Sequence, residues 1–126
     1  MKKLLLTTLI ATTALFAEAP MLPATPFASV APLIGKGKPI FLEVGSKMCH
    51  SCQIMDRMLY VVKKEHPDYP LYFIDVQQER QAALTLKVQM IPTQIVFDGN
   101  GKAVFRHVGG LSREELDKVL GTYGVK

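Results

Sequence analysis

Cysteine is scarce in this chain, and Cys49 and Cys52 are its whole complement. With no second cysteine pair and no closely spaced histidine pair, the four ligands that a structural zinc site normally needs are missing. No cysteine follows the apolar leader, so a lipid-modified N-terminus is not expected. Basic residues do not gather into a stripe: the formal charge is +4, Lys2 and Lys3 lie in the leader, and the others are scattered among Asp and Glu. That pattern argues against nucleic-acid binding. An apolar run long enough to span a bilayer, roughly 20 residues, is also lacking. The best candidate, Leu4 to Phe16, is shorter and interrupted by threonines. There is no internal repeat or low-complexity segment, and 126 residues leave room for one domain with one core. The 48% apolar and 21% charged residues then indicate a folded chain rather than a disordered one.

The N-terminus has a basic start, an apolar stretch and small residues at Ala17 and Ala19, which reads as a secretory signal peptide over residues 1–17. A cut after Ala17 is favoured, because a cut after Ala19 leaves Pro20 at the new N-terminus. The mature protein is then expected in the periplasm, beginning at or near Glu18. Five of the eight prolines fall between Pro20 and Pro39, and residues 18–37 are expected to form a mobile N-terminal segment. Within it, Phe27 to Ile34 is apolar enough for a short helix or a strand, and the pattern does not choose between them.

A folded domain is expected over residues 38–126. Ile40 to Val44 is a short apolar run ended by Gly45, which suits a strand buried on both faces, with Glu43 as its misfit. Met55, Met58, Leu59 and Val62 recur at helical spacing before Pro67, which predicts an amphipathic helix headed by Cys49. A second strand is expected from Leu71 to Val76 and a helix from about Gln78 to Lys87. Thr93 to Phe97 and Ala103 to Val108, joined by Asp98-Gly99-Asn100-Gly101, predict an antiparallel hairpin. Ser112 and Glu115 form a capping box for a last helix with Leu116, Val119, Leu120 and Tyr123 on one face. This order implies an α/β fold with a central mixed sheet flanked by helices.

In an exported protein a lone cysteine pair could be a structural disulfide. Closing the short Cys49-His50-Ser51-Cys52 loop would remove little unfolded-state entropy, whereas the closeness makes the bond easy to open and re-form. A sulfur at the head of a helix faces free backbone N–H groups and the positive end of the helix dipole, both of which favour thiolate. Cys49 is thus expected to be the nucleophile and Cys52 the resolving thiol. His50 is read two ways, as a cation that stabilises the thiolate or as an exposed recognition residue. His66 and His107 are assigned to the surface, and Met55, Met58 and Met90 to the core. A rival reading uses the two thiols, with His50, as soft copper ligands in a chaperone. Another is a binding module that does not need its cysteines.

Phe41-Leu42-Glu43-Val44, Cys49-His50-Ser51-Cys52, Ile91-Pro92-Thr93, Phe97 to Gly101 and Val108-Gly109-Gly110-Leu111-Ser112 follow one another in the order and spacing of the thioredoxin-like family, which the chain resembles over roughly residues 38 to 123. The resemblance implies thiol–disulfide exchange without a bound cofactor or metal. It further implies a cis peptide before Pro92 beside the sulfurs, with neighbouring backbone, including Ile91 and Gly109, binding the substrate together with His50 and Ser51. Glu43 occupies the place of a buried acid that serves the second cysteine. The alternative for Glu43 is a strand-end glutamate that reaches water. Implied partners are exported proteins carrying disulfides and a membrane thiol donor of the Dsb or cytochrome-c-maturation type, with the protein acting as a monomer. A reductant is expected, with a disulfide-forming oxidant as the alternative. Two departures, Met48 where thioredoxin has tryptophan and His50-Ser51 where it has Gly-Pro, bear on potential and partner choice.

Overall fold

A computed structural model describes residues 18–126, and the signal-peptide reading of residues 1–17 falls outside them. The first strand, β1 (Ile40–Gly45), is buried along its whole length because it is central. It pairs in parallel with β2 (Leu71–Asp75) on one side and antiparallel with β3 (Thr93–Phe97) on the other, and β4 (Ala103–Val108) extends the sheet in the order β2-β1-β3-β4. The parallel pair needs a crossover, supplied by α2 (His50–Glu65). The β3–β4 hairpin turns where Asp98 Oδ1 accepts the N–H groups of Asn100 and Lys102, both at 2.9 Å, and where Gly101 takes φ +84°.

Strand alternation divides the core into two layers. Phe41, Phe73 and Val96 pack with Leu59 and Val62 of α2 and with Leu116 and Leu120 of α4 (Arg113–Thr122). On the other face Ile40, Leu42, Val44, Ile74 and Ile95 pack with Val30 of α1 (Phe27–Val30), Ala82 of α3 (Arg80–Thr85) and Leu86. The α4 capping box forms in full, Ser112 Oγ accepting from the Glu115 N–H at 3.2 Å and Glu115 Oε2 from the Ser112 N–H at 2.7 Å. None of the helices among the described residues is long and apolar enough to cross a membrane.

The expectation of a mobile segment over residues 18–37 needs correction. Leu22 is buried in the first core layer, its N–H donates to the Asp56 carbonyl at 3.0 Å, and the Thr25 N–H donates to the Phe73 carbonyl at 2.8 Å. Ala24 bridges Phe73 in parallel along the outer edge of β2, and the Phe27 N–H is held by the Glu79 carboxylate. The prolines remove donors without preventing these contacts, because the N–H groups used belong to the residues between them. Phe27–Val30 is helical and continues into a 3-10 turn over Ala31–Leu33. The helix expected from Gln78 starts only at Arg80, since the Asp75 carbonyl draws the Gln78 and Glu79 N–H groups into a turn. Met90, expected in the core, is 67% exposed because it stands in the loop before Pro92 and not on a buried face.

Candidate redox site

The site lies where β1 passes into α2. Ser46 shapes the passage: its hydroxyl accepts the Met48 N–H and its carbonyl the Cys49 N–H, each at 3.1 Å. Cys49 is left as the N-cap of α2, with extended backbone at φ −94° and ψ 120°. Its Sγ does what a capping oxygen does elsewhere, accepting the Cys52 N–H at 3.4 Å, and lies 3.4 Å from Ser51 Oγ. Partial burial opposes ionisation of Cys49, but the hydrogen bonds from Cys52 and Ser51 outweigh it and hold the thiol below its usual range. Cys52, one turn on, is fully buried, and burial followed by its hydrogen bond with Cys49 pushes its thiol up to about 12. The two sulfurs, both free thiols, thus differ sharply in readiness to ionise.

Gly45 makes the close approach of Cys52 feasible. A Cβ placed on it would meet Cys52 Sγ at 3.0 Å. Glu43, on the same face of β1, is wholly buried, so the alternative in which it reaches water is ruled out. Gln94, opposite it in register on β3, donates Nε2–H to Glu43 Oε2 at 3.0 Å. Burial drives the Glu43 carboxyl well above the usual range, the Gln94 bond offsets this in part, and the charges of Asp56 and Cys49 push it further up.

Asp56 belongs to the site and was missed in the sequence. It is buried, and neither carboxylate oxygen has a hydrogen-bond partner among the described residues. Burial, then the charge of Asp75, raises its carboxyl to about 7 against the opposing pull of Lys47. The signal was available: Cys52, Met55, Asp56 and Leu59 fall on one helical stripe, and the aspartate is as out of place there as Glu43 is in its strand.

The remaining predicted residues sit at the same end of the sheet, where Val44 pairs with Thr93 and Thr93 with Val108. The Ile91–Pro92 peptide is cis, Pro92 is buried, and its carbonyl accepts the Gly109 N–H at 2.8 Å. Gly109 takes φ +102°, a conformation that a side chain would strain. Thr93 Oγ1 donates to the Met90 carbonyl at 2.5 Å and fixes the loop ahead of the proline. His50 and Ser51 are exposed, and His50 is not among the groups bonded to Cys49 Sγ. Met48, Met90 and Val108, 77%, 67% and 50% exposed, give this end of the molecule an apolar rim. Among the described residues no three His, Cys, Asp or Glu side chains are arranged to hold a metal ion. The cleft between His66, Tyr69, Arg113 and Lys126 lies at the opposite end of α2 and has no part in this chemistry.

The sequence pattern of the thioredoxin-like domain matches residues 28–124. The chain is 24% identical to a thioredoxin of Mycoplasmoides gallisepticum over 88 residues, 70% of this chain and 87% of that one. Among solved structures it superposes on thioredoxin from Fasciola hepatica with a TM-score of 0.68 at 25% identity, covering 77% of this chain and 93% of that one. A thioredoxin mutant from Halobacterium salinarum gives a TM-score of 0.70 at 19% identity, with 83% and 90% covered. With the fold, the paired cysteines at the head of α2 and a family match over most of its length, this chain belongs to the thioredoxin-like domain family.

Proposed function

We propose that this protein is a thiol–disulfide oxidoreductase that reduces disulfides in exported proteins. The observation that carries the reading is the asymmetry of the pair: a half-buried Cys49 whose thiol ionises readily, above a buried Cys52 whose thiol does not. Cys49 thiolate attacks one sulfur of a substrate disulfide, forming a mixed disulfide and releasing the other substrate sulfur as thiolate. Cys52 then gives its proton to Glu43 and attacks Cys49 Sγ. The Cys49–Cys52 bond forms, the bond from Cys49 to the substrate breaks, and the second substrate sulfur leaves as thiolate. The substrate gains two electrons and the cysteine pair loses them. Backbone near Ile91, Pro92 and Gly109, with exposed His50 and Ser51, supplies the contact surface for the substrate chain. The apolar rim of Met48, Met90 and Val108 suits a partially unfolded protein.

The signal pattern of residues 1–17 supports work in the periplasm, and the proposal has the protein act there as a monomer. Because that compartment is kept oxidising, regeneration then requires a membrane thiol donor of the Dsb or cytochrome-c-maturation type. Glu43 and the Ile91-Pro92 pair favour the reducing direction, with a potential nearer about −270 mV than about −120 mV. Insulin reduction with a small dithiol as recycling reductant tests the reaction. Turnover by the parent, none by Cys49→Ser and a trapped mixed disulfide with Cys52→Ser are expected. Turnover that survives Cys49→Ser would overturn the proposal. Equilibration with glutathione tests the direction, and a potential above about −160 mV would make the protein a disulfide donor.

A further inference from the structure

The four buried side-chain polar atoms that lack a partner among the described residues are Glu43 Oε1, Gln94 Oε1 and both carboxylate oxygens of Asp56. All of them belong to the group beneath the cysteine pair. Orphaned acceptors in a core are costly, and their concentration in one place points to a use rather than to scattered imperfection. Glu43 presents the specific difficulty. To accept the Cys52 proton it must be ionised, yet it is sealed from solvent and its bonded neighbour Gln94 donates through an amide that cannot take a proton.

We infer that Asp56 is the proton relay of this site, taking the proton from Glu43 and passing it towards Asp75 at the end of β2, a role that rests on the oxidoreductase reading above. Asp56 acts through Glu43 and touches no reacting sulfur. The three carboxylates share one face of the structure: Glu43 and Asp75 stand two residues beyond Phe41 and Phe73 on the α2-facing side of β1 and β2, and Asp56 is buried on α2, which covers that side. The charge of Asp56 acts on Glu43, whose carboxyl burial holds well above its usual range. Once ionised, Asp56 is an acceptor for the proton that Glu43 takes up. Asp75 is 4% exposed, holds the Gln77 N–H on Oδ1 at 3.0 Å and marks the way out. The charged and titratable groups facing Asp56 are Glu43 from β1, Lys47 from the loop after it and Asp75 from β2. In the forward direction the proton moves from Cys52 to Glu43, then across a bridging water to Asp56, whose oxygens bond no described protein group, and out to solvent past the end of β2. In regeneration it returns by the same route to the Cys52 thiolate.

Stopped-flow measurement of the two steps separately tests the relay, with an aromatic disulfide whose released thiol is coloured. In the parent, resolution of the mixed disulfide should rise through an inflection near pH 7, where Asp56 ionises. Asp56→Asn should abolish that inflection and slow resolution roughly tenfold, less than loss of a direct acid–base group because water can substitute in part. The first attack by Cys49 should be unaffected, and Asp56→Glu should restore the inflection. A purely structural role would leave the inflection in place. Retention of both the inflection and the rate in Asp56→Asn would overturn the relay. A parent that never resolves its mixed disulfide would instead overturn the oxidoreductase reading. Should Asp56→Asn fail to fold, infrared difference spectra of oxidised and reduced parent protein with isotope-labelled aspartate decide the matter. A labelled carboxylic-acid band that changes with redox state is expected, and its absence would overturn the relay.

Discussion

Cys49 and Cys52 are chemically the same residue placed in two environments. The sulfur that faces the N–H groups of the first turn of α2 ionises easily, while the one packed under Gly45 does not. With an ionisation near 12, Cys52 is thiolate to only about one part in 10⁵ at pH 7. Iodoacetamide at pH 7 should therefore label Cys49 alone, read by mass spectrometry, and Cys49→Ser should remove the label. Gly45→Ala places a methyl group against Cys52 Sγ, so we expect a loss of about 1–3 kcal/mol in urea unfolding together with slower resolution. The buried carboxyls set the acid–base behaviour of the fold. Both Glu43 and Asp56 have pKa values above their unfolded ones, so each contributes stability in full below about pH 4 that is lost as pH rises through the folded value. For Asp56 this window runs from about 3.8 to about 7. Urea midpoints should fall across it, and Asp56→Asn should flatten the fall. Of these residues, Glu43 was legible as a charge in an apolar strand. Asp56 lay equally open to the eye as a charge in an apolar stripe, but helical stripes tolerate polar residues at their margins, and only the packing of α2 shows that this position is central.

The elements were legible wherever local chemistry and burial agreed. The capping box at Ser112 and the turn cluster at Asp98 form as their sequences direct, because each closes its hydrogen bonds within a few residues. Ser112→Ala should cost about 1 kcal/mol, measurable as a lowered thermal midpoint, since one first-turn N–H of α4 loses its acceptor. What could not be read was set by competition or by distance. α3 is shortened because the nearby Asp75 carbonyl takes the Gln78 and Glu79 N–H groups into a turn, and the segment around Ala24 is held by Phe73, about fifty residues away. Proline density reads as looseness in a sequence, yet a proline-rich strand lying on a sheet edge needs only a few free donors to be held.

For the molecule as a whole, the stretch from Leu22 to Phe27 works as a strap across β2 and the base of α2. Removing residues 18–26 uncovers the Leu22 site and severs the Thr25–Phe73 bond, and we expect a loss of about 2–3 kcal/mol in urea unfolding. The same strap governs how copies of the protein can associate. A sheet adds strands only at its edges, and the order β2-β1-β3-β4 provides two. Ala24 bridges the one along β2, and among the described residues no strand pairs with the outer side of β4. A body with one open edge can join a second copy about a twofold axis and then has nothing further to offer, whereas a body with two can polymerise without limit. The short bridge at Ala24 thus works against open-ended assembly by sheet extension, and a protease that clips it would bare a second edge.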